Sequence, residues 1–247
     1  MIAALGRFDP RQLVDAAVSM SCGAKALHEY SNTSPSDPTC GIRHYDGWGA
    51  VFLGENNQLQ CVRSSLKIAD DPTTSRLGEL QTSLLVIHVR SASIRTQTGI
   101  AFVHPIERNL NNQQLFFFHN GFAPEAFQLL GRKTARWDTE DLFDWLFPSL
   151  SDPAREGLQD RLSRLPPSTK SANFISVDGK SLIVCNWFPE TATAPRYYTM
   201  HSFESGDCSF FASESISEIA PSERWKPLGN RRIVERHLGE LTLHKGD

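Results

Sequence analysis

Four short polar segments hold the residues best suited to chemistry: His44-Tyr45-Asp46-Gly47-Trp48-Gly49, His88-Val89-Arg90-Ser91-Ala92-Ser93, His119-Asn120-Gly121 and Trp137-Asp138-Thr139-Glu140. They supply imidazoles that can move protons, a guanidinium that can grip a carboxylate through two parallel hydrogen bonds, and a carboxylate that can balance an ammonium. Each segment also has a plain structural reading. Asp-Gly-Trp-Gly reads as a turn into a strand with a core tryptophan, and His88 with Arg90 as a surface pair on one strand face. Asn-Gly reads as a turn and Asp138 as a helix cap. The five cysteines (Cys22, Cys40, Cys61, Cys185, Cys208) are odd in number and lack CxxC or Cys/His ligand spacing. That argues against a disulfide framework or zinc site and for the reducing cytoplasm. No Gly-x-Ser-x-Gly elbow is present, which sets aside an unrelated α/β hydrolase.

Composition bounds what can hold these residues. Of 247 residues 40% are hydrophobic, enough for a substantial core, and 21% are charged, an ordinary share. A net charge of -3 and the absence of any basic run longer than Arg231-Arg232 leave no footprint for nucleic acid. No apolar run approaches the roughly 18 residues of a membrane helix. Met1 to Gly6 lacks the charged start and long apolar core of a signal peptide, so a soluble, cytoplasmic protein is expected.

The elements follow from periodicity and punctuation. Ile2 to Leu5, closed by Gly6, reads as a buried strand. Asp9-Pro10-Arg11-Gln12 is a helix start, and Leu13, Ala16, Ala17 and Met20 recur at helical spacing. Residues 28–41 read as a polar loop. Strands are expected at Gly49 to Leu53, Leu59 to Arg63, Leu84 to Val89, Leu115 to His119, Asn173 to Val177, Leu182 to Trp187 and Ser209 to Ala212, with a hairpin turn at Asp178-Gly179. Helices are expected at Asp138 to Leu146 and Pro153 to Leu162, the second stopped by Pro166-Pro167. Hairpins with interspersed helices imply antiparallel sheets covered by helices rather than a βαβ repeat. Without internal repeats or linkers, residues 1–247 read as a single domain.

Taken together and in order, the polar segments resemble the class II glutamine amidotransferases, in particular the short stand-alone members similar to γ-glutamyl hydrolases. Those carry His-x-Asp-Gly-Trp-Gly, Arg-x-Ala-Thr/Ser, His-Asn-Gly and Asp-Thr/Ser-Glu in this sequence. Val103-His104-Pro105 is similar to the family's Asn-His-Pro, with valine for asparagine. Ala172-Asn173-Phe174 through Asp178-Gly179 and Phe211-Ala212-Ser213-Glu214 resemble its later strands. The resemblance implies the N-terminal nucleophile hydrolase fold, an α+β, four-layer αββα sandwich of antiparallel sheets. It also implies action on the side-chain amide of glutamine or a γ-glutamyl compound, as a glutaminase or a transferase, with no cofactor and no metal.

Under that resemblance Arg90 takes the α-carboxylate, Asp138 the α-ammonium, and Ser91 and Ser93 complete substrate binding. Ser91 replaces an aromatic found in some members. Asn120 and Gly121 form the oxyanion hole, where one donor is worth about 3–4 kcal/mol in the transition state. Asp46, Gly47, Trp48 and Gly49 support the site, and His88, His104 and His119 are expected to support it through hydrogen bonds. The family's nucleophile is an N-terminal cysteine that forms a thioester, whereas Ile2 follows Met1 here. None of the five cysteines sits ahead of an apolar strand as that nucleophile does. Aligning Leu5-Gly6 with the family's Leu-Gly puts Met1 at about the fourth position. A start three residues late, and no glutamine turnover by the chain as numbered, are therefore expected. The alternative is a non-catalytic amide-binding or interaction module. Nothing in the sequence reads as a synthetase, isomerase or nucleotide domain, so any ammonia not simply released would pass to a separate partner enzyme.

Overall fold

In a computed structural model, residues 1–23, 43–110, 113–149 and 157–240 are described. The expected loop at 28–41, Cys40 and the first residues of the helix expected from Pro153 lie outside them. Strands β1 (Ile2–Leu5), β2 (Trp48–Leu53), β3 (Leu59–Ser64), β4 (Leu84–Val89), β5 (Ile106–Leu110), β6 (Gln113–Phe122), β7 (Ser171–Asp178), β8 (Ser181–Asn186), β9 (His201–Ser205), β10 (Cys208–Ala212), β11 (Lys226–Pro227) and β12 (Arg232–His237) form two sheets. Among the described residues one sheet has seven strands, in the order β11-β9-β10-β1-β4-β2-β3, and the other five, β12-β8-β7-β6-β5. The pairs are antiparallel throughout.

Period-two alternation divides the apolar residues between layers. Ile2 and Ala4 of β1, with Leu85 and Ile87 of β4, face helix α1 (Pro10–Ser21), which returns Leu13, Ala16, Ala17 and Met20. Ala3, Leu5, Leu84 and Val86 face the other way, onto Phe116, Phe118, Ile175 and Val184 of the second sheet. That sheet's outer face presents Phe117, Phe174 and Cys185 to α4 (Asp138–Leu146) and α5 (Leu158–Ser163). Between α1 and these lie α2 (Thr74–Gly78) and α3 (Ala126–Leu129). Three apolar layers separated by two sheets make the four-layer αββα sandwich of an α+β protein, as expected. No helix among the described residues is long and apolar enough to cross a membrane.

Local signals hold where their partners are near in sequence. The Asp9 side chain accepts from Arg11 N–H at 2.9 Å to start α1. Asp178 Oδ1 accepts from Lys180 and Ser181 N–H, both at 2.8 Å, to close the β7–β8 hairpin. Three expectations need correction. His119-Asn120-Gly121 is no turn: β6 runs on to Phe122, with Asn120 opposite Asn173 and Gly121 opposite Ala172. Strands β5, β9, β11 and β12 escape the pattern, because sequences such as Arg232-Ile-Val-Glu-Arg-His lie toward sheet edges and carry charge on their exposed positions. Trp137, not Asp138, occupies the cap position of α4, and no side chain caps that helix.

Two buried devices hold the site end of the sandwich. Fully buried Trp48 donates its Nε1–H to Asp71 Oδ2 at 3.1 Å, and Asp71 Oδ1 accepts from Thr73 N–H and Oγ1–H at 2.9 and 2.7 Å. Burial pushes the Asp71 carboxyl up, but hydrogen bonds from Ser64, Thr73 and Trp48 outweigh it and lower its pKa overall. The second device is the close contact of β6 with β7, where a Cβ on Gly121 would overlap the Ser171 carbonyl and the His119 ring.

Asp71→Ala is expected to lower stability by about 1–3 kcal/mol, since it leaves the Trp48 N–H buried without an acceptor. Because the folded carboxyl titrates below the unfolded one, its contribution is full above the usual carboxylate pKa and fades as pH falls. The difference between parent and variant in urea denaturation should therefore shrink below about pH 4. A pH-independent difference would remove the Asp71 charge from the account. Gly121→Ala is expected to cost about 1–3 kcal/mol by overpacking, with faster amide exchange along residues 119–122; an unchanged denaturation midpoint would show that β6 and β7 can part without cost.

Candidate functional site

The sandwich opens at one end into a cavity of about 590 Å³, where β4, β6, β7 and α4 meet. It lies in the range of small-molecule sites, about 300–1,000 Å³. Arg90, Ser91, Ser93, His88, His104, His119, Asn120, Gly121 and Asp138 all line it. Asp46, Gly47, Trp48 and Gly49 do not line it; they stand behind it.

Arg90 follows the last residue of β4, and its backbone is clamped: its N–H donates to Gly47 O at 2.9 Å, and its O accepts from Asp46 N–H at 3.0 Å. Asp46 Oδ2 accepts from Ala92 N–H at 2.7 Å, fixing the chain through Ser91. Far from forming a surface pair with His88, the Arg90 side chain is buried, with its guanidinium 5.6 Å over the Trp137 ring. One nitrogen, Nη1, donates to Gln97 O at 2.7 Å. Burial lowers its pKa while the carboxylates of Asp46 and Asp138 raise it; an arginine stays a cation under such opposition. Its other donors are available for an oxyanion, and its plane is set by the indole beneath it.

Asp138 opens α4 and turns one oxygen, Oδ2, to Ala123 N–H at 3.1 Å. That bond ties the helix start to the chain leaving β6. Farther along α4, buried Asp141 pairs with Arg132 at 2.5 Å and accepts from Arg136 N–H at 3.0 Å. Gly121 is required by distance rather than by φ, because β7 approaches it more closely than a side chain allows. Gly49 is required likewise, since a Cβ there would overlap the His104 carbonyl oxygen, and Gly47 has φ +101° against the Val103 side chain.

The three histidines are buried. His119 Nδ1 lies 3.1 Å from Thr139 Oγ1 and its Nε2 lies 3.4 Å from Ser171 O, while Thr139 Oγ1 lies 3.5 Å from His104 Nε2. His88 lies tilted against His104 at 4.3 Å between centroids, and His104 meets Trp137 edge-on at 5.0 Å. Burial, and then positive neighbours, lower His88 and His104 well below the usual imidazole value. Burial also lowers His119, against the pull of Asp138. All three are neutral near pH 7, so Arg90 carries the buried positive charge. No group of three or more His, Cys, Asp or Glu among the described residues is arranged to hold a metal ion.

No cysteine lines the cavity among the described residues. Burial pushes the Cys61 thiol up to about 11 and Cys208 to about 12, and raises that of Cys185 further. These thiols are unionised at neutral pH. The residue pattern overlooked Trp137 and Thr139 as working parts, although both sit inside a quoted segment. Gln97, Lys170, Ser171, Thr193, Tyr197 and Tyr198 also line the cavity. No spacing signal points to them, since they come from loops and strand ends distant in sequence.

Residues 18–184 match the family model of the class II glutamine amidotransferases, more than half of the 247 residues and all four polar segments. No curated protein matches the chain. Among solved structures it is similar to the glutamine phosphoribosylpyrophosphate amidotransferase from B. subtilis complexed with ADP and GMP, at 17% identity over 96% of this chain and 48% of that one, with TM-score 0.62. It is also similar to an allosteric regulatory enzyme of purine biosynthesis, at 17% identity over 87% of this chain and 41% of that one, with TM-score 0.58. A glutamine aminotransferase class-II domain protein from Silicibacter pomeroyi is matched at 16% identity over 77% of this chain and 86% of that one, TM-score 0.50. Likeness at these identities is likeness of fold, and the chain spans less than half the length of the first two proteins. With the αββα sandwich, the polar segments around one cavity and the family match in agreement, the chain belongs to the class II glutamine amidotransferases.

Proposed function

We propose that residues 1–247 act as one amidohydrolase unit on the side-chain amide of glutamine or of a larger γ-glutamyl compound. The observation that carries this reading is the meeting of Arg90, Asp138, Asn120 and Gly121 around one 590 Å³ cavity. Arg90 grips the α-carboxylate with the donors not spent on Gln97. Asp138 balances the α-ammonium with the oxygen not spent on Ala123. The Asn120 amide and the Gly121 N–H receive the oxyanion that develops as the amide carbon is attacked. Ser91 and Ser93, both exposed at the rim, contact the substrate backbone. In this reading Thr193, Tyr197 and Tyr198, which also line the cavity, face a substituent on the γ-amide.

The attacking group this reading requires is a cysteine thiolate placed by the N-terminal end of β1. Two features support this. Strand β1 runs antiparallel to β4 with Ile2 opposite Ile87, so its N-terminal end points along His88, Val89 and Arg90 toward the cavity. The thiols of Cys61, Cys185 and Cys208 are far too basic to attack at neutral pH. The cysteine thiolate attacks the amide carbon, ammonia leaves, and water cleaves the thioester to release glutamate. Ammonia is either released or handed to a separate partner enzyme. Free thiols at Cys22, Cys61, Cys185 and Cys208 suit the reducing cytoplasm.

Extending the chain with Met-Cys-Arg ahead of Met1 is expected to produce glutamate from glutamine or from γ-glutamyl amides, while the chain as numbered stays inert. An extended protein inactive on both substrates would defeat the hydrolase reading and favour a binding module. In either form Arg90→Ala is expected to weaken L-glutamate binding on the order of ten- to a hundredfold, as for loss of a charge-assisted hydrogen-bond pair. Equal affinity by calorimetry would take Arg90 out of the site.

A further inference from the structure

The hydrogen bonds around Thr139 determine more than packing. The Ser171 carbonyl can only accept, so the contact at 3.4 Å requires the proton on His119 Nε2. Burial keeps His119 neutral, since it lowers the pKa despite Asp138. Its Nδ1 is therefore a lone pair, and the hydroxyl 3.1 Å away must donate to it. A threonine hydroxyl has one proton. With that proton spent on His119, the contact between Thr139 Oγ1 and His104 Nε2 at 3.5 Å is donated by His104. His104, neutral and protonated on Nε2, then carries a bare Nδ1. That atom and His88 Nδ1 are buried without a hydrogen-bond partner among the described residues, on two rings in tilted contact that belong to the cavity lining.

We infer that Thr139 is a positioning residue: with His119 fixed by the Ser171 carbonyl, its hydroxyl relays that order and sets the proton of His104 on Nε2, so that the wall beside the Arg90 cation holds His104 as a neutral ring with a bare Nδ1. A neutral His104 gives no second positive grip to a carboxylate, which leaves Arg90 to orient it. The same hydroxyl holds His119, whose ring abuts Gly121. Thr139 thus couples the first turn of α4 to the strand end at Asn120-Gly121. The proton assignment stands without the glutamine reading; the consequence for the bound carboxylate rests on it.

The test is long-range 1H–15N spectroscopy of the full chain labelled with 15N-histidine at neutral pH, the two rings assigned with His104→Gln and His119→Gln. Both should show Nε2–H with an unprotonated Nδ1. Thr139→Val keeps the shape without the hydroxyl and should release His104 into mixed tautomers, while His119, held by the Ser171 carbonyl, keeps Nε2–H; Thr139→Ser should restore His104. L-glutamate affinity should fall on the order of fivefold in Thr139→Val and recover in Thr139→Ser. A parent spectrum with His104 protonated on Nδ1 overturns the proposal, whether or not the variants fold. So does a parent-like His104 tautomer in Thr139→Val, or an altered His104 tautomer with unchanged affinity. If the parent itself binds no glutamate, the substrate reading falls, and the spectra still decide the proton assignment.

Discussion

The site depends on backbone approaching backbone more closely than a side chain permits. At Gly49 the start of β2 presses on the His104 carbonyl, and at Gly121 the end of β6 presses on the Ser171 carbonyl. These contacts draw the two sheets' site-facing ends and the His104 segment into one wall. His104 and His119 come within reach of a single hydroxyl as a result, the Ser171 carbonyl meets the other nitrogen of His119, and Asn120 is held in a paired strand. A loop carrying the same residues would have to order itself around each ligand. A strand end braced by a neighbour does so in advance, which is the condition for donors that must already be in place when charge develops.

The electrostatics follow from the same burial. A guanidinium withdrawn from water is costly unless charge and donors answer it. Arg90 is answered by Asp46 behind and Asp138 across the cavity, by the Gln97 carbonyl and by the Trp137 face. Three protonated imidazoles nearby would add repulsion; burial keeps them neutral. Trp137 links the two systems, holding Arg90 on one side and His104 on another. With Lys170 exposed and Asp138 negative, Arg90 is the buried cation of the lining described, and it gives a carboxylate a buried place to go.

Much of this was legible in the residues. Ile2 to Leu5, Leu84 to Val89 and the α1 start follow from local pattern, because each draws its signal from neighbours in sequence. The four polar segments identified the lining at Arg90, Asn120, Gly121 and Asp138. What misled was local chemistry taken alone. Asn120-Gly121 has turn composition, yet pairing with Asn173 and Ala172 keeps it extended. Asp138 has cap composition, yet its carboxylate answers Ala123. His88 and Arg90 alternate as on a surface strand, yet β4 lies between β1 and β2 and is covered on both faces.

The sequence by itself determined the family, the layer each apolar residue joins, and the residue types available for binding an amino acid and its amide. Only the tertiary structure decided which of those types meet and in what protonation state. Thr139 touches His119 across 20 residues and His104 across 35, and Ser171 touches His119 across 52. Separations of that size leave no periodic trace. A hydroxyl's single proton and a carbonyl's inability to donate act only at contact distance, so the state of the buried histidines is set by how the strands pack.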